Sequence, residues 1–419
     1  MYKVIYDFID KNWHVTTQLT DNKNKDVIAL PYPYNSPCSD NGFKAFFYWD
    51  SYFICRGLLV QNHIGLAENN LRNFIYEINK FGFIPNMNRL HSLNRSQVPL
   101  LGALIEAFIP YKKNDVNFLS EMVGALEKEL LFWEKNRRFE NGMFHYGTNA
   151  TDQEKINFYK KIAVPRIKYD SNVNYAVKIQ RAEATLAEAE SGWDFTPRFE
   201  RNCNQIAAVD LNSLIAKNYK IIAGLYELLG NNRLKEIYLE KFNFLKQLIQ
   251  KVFWDEKRGG FFDYCPTENR LLSIYSCASF FPLWCNLATE EQAEKSLSLL
   301  EKTLEYDFGL VACEKKNEIK NSFLQWDYPN LWPPLQLIVM EGLNNYNFVN
   351  KAKVIAEKYL DVVSNNFDKH KQLYEKYNAV SGQIDVVDEY PMPPMLGWSA
   401  GTFVCCYHYF EKNKIQLLE

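Results

Sequence analysis

The sequence predicts an all-α fold built of stacked helical hairpins, and three observations carry that prediction. Apolar residues recur at helical spacing through most of the 419 residues. A helix-plus-turn unit repeats along the chain. No stretch alternates polar and apolar side chains in the series a sheet needs.

Taken in order, a short amphipathic helix is expected at 2–13. Residues 20–48 read as loop, with Pro31, Pro33 and Pro37 among many Asn, Asp and Ser. Helices follow at 51–63, 66–79, 97–110, 116–136, 210–229, 232–252, 277–287, 290–303, 332–344, 347–366 and 397–411. In the fourth, positions 118, 119, 122, 125, 126, 130, 131 and 132 are apolar and fall on one stripe. Gly230-Asn231-Asn232 stops one long helix before the next. The stretch 138–209 reads as a loop-rich insertion, and loops of that length in compact domains are usually functional.

The repeating unit is a helix end, a charged turn and a short aromatic extended piece. Phe132-Trp133-Glu134-Lys135 leads to 142–146, Phe253-Trp254-Asp255-Glu256 to 259–264, and Asn366-Phe367-Asp368-Lys369 to 373–377. With no Gly/Ser-rich linker, residues 1–419 are expected to form a single domain. Two layouts fit, an open solenoid or a closed ring of six hairpins, the α/α barrel. The aromatic loops favour the closed ring, where they gather at one end and line a pocket.

Net charge is −2, so no basic excess supports nucleic-acid binding. No run approaches the roughly 20 apolar residues that cross a bilayer, and the N-terminus shows no signal-peptide pattern. The nine cysteines are scattered without a CxxC pair, which reads as buried free thiols in a reducing cytoplasm. The six histidines show no metal spacing, so neither a metal nor a cofactor is expected. The sequence leaves the oligomeric state open.

Five segments combine carboxylates, aromatics and planar hydrogen-bonding groups: 43–53, 82–97, 190–199, 325–336 and 374–401. The third reads Glu190-Ser-Gly-Trp-Asp-Phe-Thr-Pro-Arg-Phe199. Ser, Gly and Pro make it a loop. A carboxyl packed between Trp193 and Phe195 is desolvated, which raises its pKa and suits a general acid. The alternative is an Asp that caps a helix or accepts backbone bonds. Trp with Asp, Asn, Gln and Arg is also the chemistry of sugar recognition, the ring covering the C–H face while polar groups fork onto hydroxyls. Cleaving a glycosidic bond then needs two carboxyls.

These blocks resemble the trehalase family of glycoside hydrolases. Tyr48-Trp-Asp-Ser-Tyr-Phe53 is similar to the family's first signature. Gly82-Phe-Ile-Pro-Asn86, Asn94-Arg-Ser-Gln97, Glu190-Ser-Gly-Trp-Asp-Phe195, Gln325-Trp-Asp-Tyr-Pro-Asn330, Glu375-Lys-Tyr377 and Glu389-Tyr-Pro391 with Gly397-Trp398 follow in family order. The resemblance implies an (α/α)6 barrel and an inverting mechanism, with Asp194 as general acid and Glu375, favoured over Glu389, as general base. It implies sugar contacts from Lys44, Trp49, Asp50, Asn86, Arg95, Gln97, Arg166, Gly192, Trp326, Asp327, Glu389 and Trp398.

The chain departs from the family pattern in four places. Lys44 stands where the family has Arg, which keeps the charge and loses the planar fork. Arg166 is placed by a loose counterpart of an Arg-Pro-Glu block. Residues 381–388 replace a glycine-rich lid, and the chain is short before the first signature.

The expected activity is inverting hydrolysis of an α-glycoside, trehalose first, with glucosylglycerate, mannosylglycerate or another α-glucoside as alternatives. A saccharide is the only partner expected. Two rivals stay open. An epimerase or lyase on the same barrel would use a His, and only His91 lies in a block. A non-catalytic helical-repeat scaffold would carry solvated polar loops.

Overall fold

The computed structural model describes residues 1–20, 24–38, 43–316, 324–385 and 392–415. Helix α1 (Tyr2–Asn12) is amphipathic and buries Ile5 and Ile9. Helices α2 (Tyr48–Val60) and α3 (Ile64–Phe81) form one hairpin, and α4 (Leu101–Lys112) and α5 (Val116–Asn136) the next. Helix α5 begins where the Asp115 carboxylate accepts from the Phe118 N–H, which supplies one orphan donor with a partner. A layer of α6 (Asp152–Phe158), a π-turn (Tyr159–Ala163) and α7 (Val164–Ile167) lies on α8 (Tyr175–Ser191). Then come α9 (Val209–Leu228), α10 (Asn232–Val252), α11 (Phe281–Trp284), α12 (Glu290–Thr303), α13 (Pro333–Asn345), α14 (Val349–His370) and α15 (Gly397–Ile415).

Burial sorts these into two rings. Helix α2 buries residues on every side, from Tyr48 to Leu59, and so do α9 and α13. Helix α10 buries only Phe242, Leu245 and Ile249, one stripe of an otherwise polar surface. Helices buried all round form the inner wall. There α2 touches α4, α4 touches α9, α9 touches α11, α11 touches α13, α13 touches α15, and α15 returns to α2. The ring is closed, and the open solenoid is excluded.

At the seam between α2 and α15 the two backbones approach closely. A Cβ on Gly57 would lie 2.7 Å from the Gly401 Cα, and one on Gly401 would lie 2.0 Å from the Phe53 carbonyl oxygen. Only glycine lets these backbones approach so closely. Helix α1 packs outside α15 and α14, with Tyr2 edge-on to Phe410 and Phe8 edge-on to Phe367.

The repeating turns are short antiparallel ladders. Arg138 faces Phe144, Trp254 pairs with Phe261, and Glu305 pairs with Leu310. The third unit expected from sequence, at 366–377, is different: α14 continues to His370 and Tyr377 pairs with Leu331. The 138–209 stretch is also more regular than its sequence suggested, since α8 fills its second half. Alanines line the buried face of α8, so its apolar stripe is faint although its helix propensity is high.

Candidate active site

The motif residues gather at the N-terminal ends of the inner helices. Trp49 and Asp50 sit in the first turn of α2, Trp332 caps α13, and Trp398 opens α15. Two adjoining cavities lie there. The small one, about 100 Å³, is lined by Trp49, Asp50, Gly192, Trp326, Trp332 and Glu375, among others. The wide one, about 510 Å³, is lined by Asn86, His91, Arg95, Glu154, Lys161 and Arg166, among others. Phe43, Phe47, Gln97 and Asp194 line both.

Asp194 stands just past the end of α8. Gly192 ends that helix with φ +75°, a left-handed conformation natural to glycine, and Phe195 follows with φ 60°. Trp193 is wholly buried and packs on Trp326, with ring centroids 5.2 Å apart. Buried ion pairs clamp the loop on both sides. Upstream, the Glu190 carboxylate accepts from Arg137 Nε at 2.7 Å and Nη2 at 3.0 Å, and from the Ser96 and Gly147 N–H groups. Downstream, Arg198 forks onto Asp210 and Asp263 with four bonds of 2.7–2.8 Å. The Arg198 guanidinium also lies 4.8 Å from the Trp193 ring centroid. Burial raises the Asp194 pKa above the usual aspartate value, against the pull of Arg166 and Arg95, and Glu375 adds to the rise.

Glu375 is buried on the segment between α14 and α15. Its carbonyl accepts from Trp398 Nε1 at 3.0 Å, and Lys376 Nζ lies 3.2 Å from its Oε2. Asp50 faces the same cavity, its pKa pushed up to about 8 by burial first and by Glu375 next. Gln97 Oε1 accepts from the Trp49 N–H at 2.8 Å, tying the α2 start to the 94–97 segment. Trp326 and Trp332 stack at 3.8 Å, and Trp398 meets both edge-on, which makes an aromatic wall.

In the wide cavity the Arg95 guanidinium is nine-tenths buried. It donates to the neutral amide oxygens of Asn94 at 2.9 Å and Asn86 at 3.5 Å, and its Nε has no partner. Arg166 stacks 4.6 Å from the Phe195 ring centroid.

The site therefore brings together Trp49, Asp50, Asn86, Arg95, Gln97, Arg166, Gly192, Asp194, Trp326, Glu375 and Trp398. Two expected members are placed elsewhere. Lys44 is exposed and lines neither cavity. Asp327 also lines neither, and its carboxylate accepts from the Tyr328 N–H at 2.7 Å within a turn. Glu389 lies outside the described residues. The motif reading missed Glu154 and Lys161 on the wide cavity; an Asn94-facing capping box at Thr151-x-x-Glu154 was the available signal for the first.

A still larger cavity, about 730 Å³, opens towards the opposite ends of the inner helices, and Tyr52 is the one residue of the signature blocks among its described lining. Four of its charged groups pair with each other, Arg56 with Glu341 and Lys217 with Glu106. Among the described residues no group of His, Cys, Asp and Glu could hold a metal, and no helix is long and apolar enough to cross a membrane.

The trehalase family profile matches residues 7–410. The periplasmic trehalase of Escherichia coli (strain SMS-3-5 / SECEC) is 31% identical over 94% of this chain and 72% of its own length. The neutral trehalase of Saccharomyces cerevisiae superposes with a TM-score of 0.79 at 26% identity, over 96% of this chain and 80% of that chain. The mannosylglycerate hydrolase of Thermus thermophilus shares the fold with a TM-score of 0.62 at 14% identity, over 96% of this chain and 99% of that chain. The cytoplasmic expectation is overturned, because curated relatives such as the Escherichia coli protein are named periplasmic. Free thiols were a poor guide to compartment: all nine are buried, away from any oxidant.

Proposed function

Because the chain belongs to the trehalase family of glycoside hydrolases, we propose that it hydrolyses α,α-trehalose to two glucoses with inversion, Asp194 giving the proton and Glu375 activating water. One observation carries the assignment of roles. Asp194 lines both cavities, whereas Glu375 lines only the small one. An acid must reach the oxygen that joins the two sugar units. A base that activates water must address the anomeric carbon from the side away from the leaving group.

The small cavity takes the glucosyl unit that is attacked. Trp326 and Trp398 present ring faces and edges to its C–H surface, and Trp49, Asp50, Gln97 and Gly192 shape the remaining wall. The wide cavity takes the leaving unit, with Asn86, Arg95 and Arg166 towards its hydroxyls. Burial favours the protonated form of Asp194 before the reaction, and the nearby guanidiniums stabilise the carboxylate that forms as the bond breaks. The reading treats residues 1–419 as one catalytic domain, supported by a continuous core from Ile5 to Cys406.

Asp194→Asn should lower kcat by roughly 10²–10⁴-fold while trehalose still binds in calorimetry. Proton NMR of fresh product from the wild type should show β-glucose and α-glucose in equal amounts. Wild-type rates in the variant would remove Asp194 as the acid, and α-glucose alone would rule out inversion.

A further inference from the structure

The far cavity, about 730 Å³, takes no part in the reaction proposed above, yet it is more spacious than either catalytic cavity and has a polar floor. There Arg56 Nη2 and Nη1 donate to Glu341 at 2.5 and 3.3 Å, and Nη1 also donates to the Tyr52 hydroxyl at 2.8 Å. Trp284 Nε1 donates to Glu341 Oε2 at 2.7 Å. Lys217 lies 5.0 Å from the Trp284 ring centroid and pairs with Glu106 at 2.8 Å. Each group is held by its neighbours, while the Arg56 and Glu341 side chains keep 24% and 22% exposure. A guanidinium and a carboxylate fixed side by side suit vicinal hydroxyls, each of which gives and takes a hydrogen bond. The rim adds the exposed amides of Asn286 and Asn344 and the Tyr111 ring, 46% exposed. A ring with that much free face can cover a C–H surface.

Charge decides the class of ligand. Arg56 and Glu341 offset each other, as do Lys217 and Glu106. His408 and Lys412 are exposed at the mouth, where water and salt screen them. The last turns of α2, α4 and α13 contribute Leu59, Tyr111 and Asn345, so the negative ends of three helix dipoles oppose an anion. Arg56 and Lys217 oppose a cation. We infer that the far cavity is a second saccharide site, one that binds a neutral mono- or disaccharide such as glucose or trehalose without cleaving it. Its floor is not set for hydrolysis. Burial alone would raise the Glu341 pKa, but Arg56, Trp284 and Lys217 outweigh it and hold the carboxyl below its usual value, so it has no proton to give a leaving oxygen. The inference does not depend on which carboxyls serve the catalytic cavity.

The test is amide hydrogen exchange of the full chain with and without glucose at about 100 mM. With a dissociation constant of about 10 mM or tighter at the far site, exchange across 103–111 and 338–346 should slow about tenfold, and slowing across 190–196 reports the catalytic cavity separately. Glucosamine and glucose 6-phosphate carry charge of either sign and should protect the far-end amides less than glucose does. Ala107→Trp places an indole in the cavity and should abolish far-end protection while 190–196 stays protected. Should that variant fail to fold, Asn344→Leu at the rim should weaken far-end binding about fivefold, the worth of one neutral hydrogen bond. Protection at 190–196 alone overturns the inference and leaves the proposed function standing. Absence of protection anywhere overturns the inference too. Stronger far-end protection by either charged sugar overturns the neutral class. Far-end protection unchanged in the folded variants puts the sugar elsewhere and overturns the site.

Discussion

Asp50 shows how much one side chain's setting changes its chemistry. Its pKa stands at about 8 against an ordinary 3.8, from burial first and then from Glu375. Below 3.8 the carboxyl is protonated in the folded and unfolded chains alike. Above 3.8 the unfolded chain releases a proton that the folded chain keeps, so stability falls as pH rises, until the folded group ionises near 8. Asn mimics the protonated form and carries no such penalty. The melting temperature of Asp50→Asn relative to wild type should therefore climb between pH 4 and 8 and level off above; a difference constant across that range would contradict the assignment. Identity was easier to read than direction at this scale. The Trp-Asp pairs at 49–50 and 193–194 were legible because each lies in a block dense in aromatics and carboxylates, although the first pair stands in the opening turn of α2 rather than in a loop. The same dipeptide at 326–327 sends its Trp to the cavity wall and its Asp into a turn, and nothing in the residue types distinguishes the two.

At the scale of elements, the acid loop is rigid because its neighbours are fixed, not because the loop itself is regular. Arg198→Met leaves Asp210 and Asp263 buried without their cation, at a cost of about 3–5 kcal/mol in urea unfolding. Arg198→Lys should not restore stability, because a single ammonium cannot fork onto two carboxylates. Unchanged unfolding in Arg198→Met would show that the clamp is idle. Sequence periodicity found the outer helices well, since half-buried helices must carry a stripe. It displaced α2 and α4 by about three residues, while the inner helices α9 and α13 were placed to within one residue, so burial on every side does not by itself hide a helix. It missed α8, whose buried residues are alanines and polar side chains with a single leucine.

For the whole molecule, closure of the ring is the decisive property, and two glycines permit it. Gly401→Ala places a Cβ against the Phe53 carbonyl and should cost about 3 kcal/mol or more, with loss of activity. Gly124→Ala in outer helix α5 meets nothing within 4 Å and should instead add about 0.5–1 kcal/mol. Equal effects on denaturation would deny the seam its special role. The closed form was readable only indirectly, from aromatic loops that needed a common end, while the two glycines that make it possible stand 344 positions apart and carry no local signal. That separation shapes assembly. A chain with five hairpins stacked and the last one undocked presents two bare flanks, each complementary to the other and equally to the matching flank of a neighbouring copy. Exchange of the terminal hairpin between copies is thus the characteristic misassembly of this architecture, favoured whenever refolding is crowded and slow.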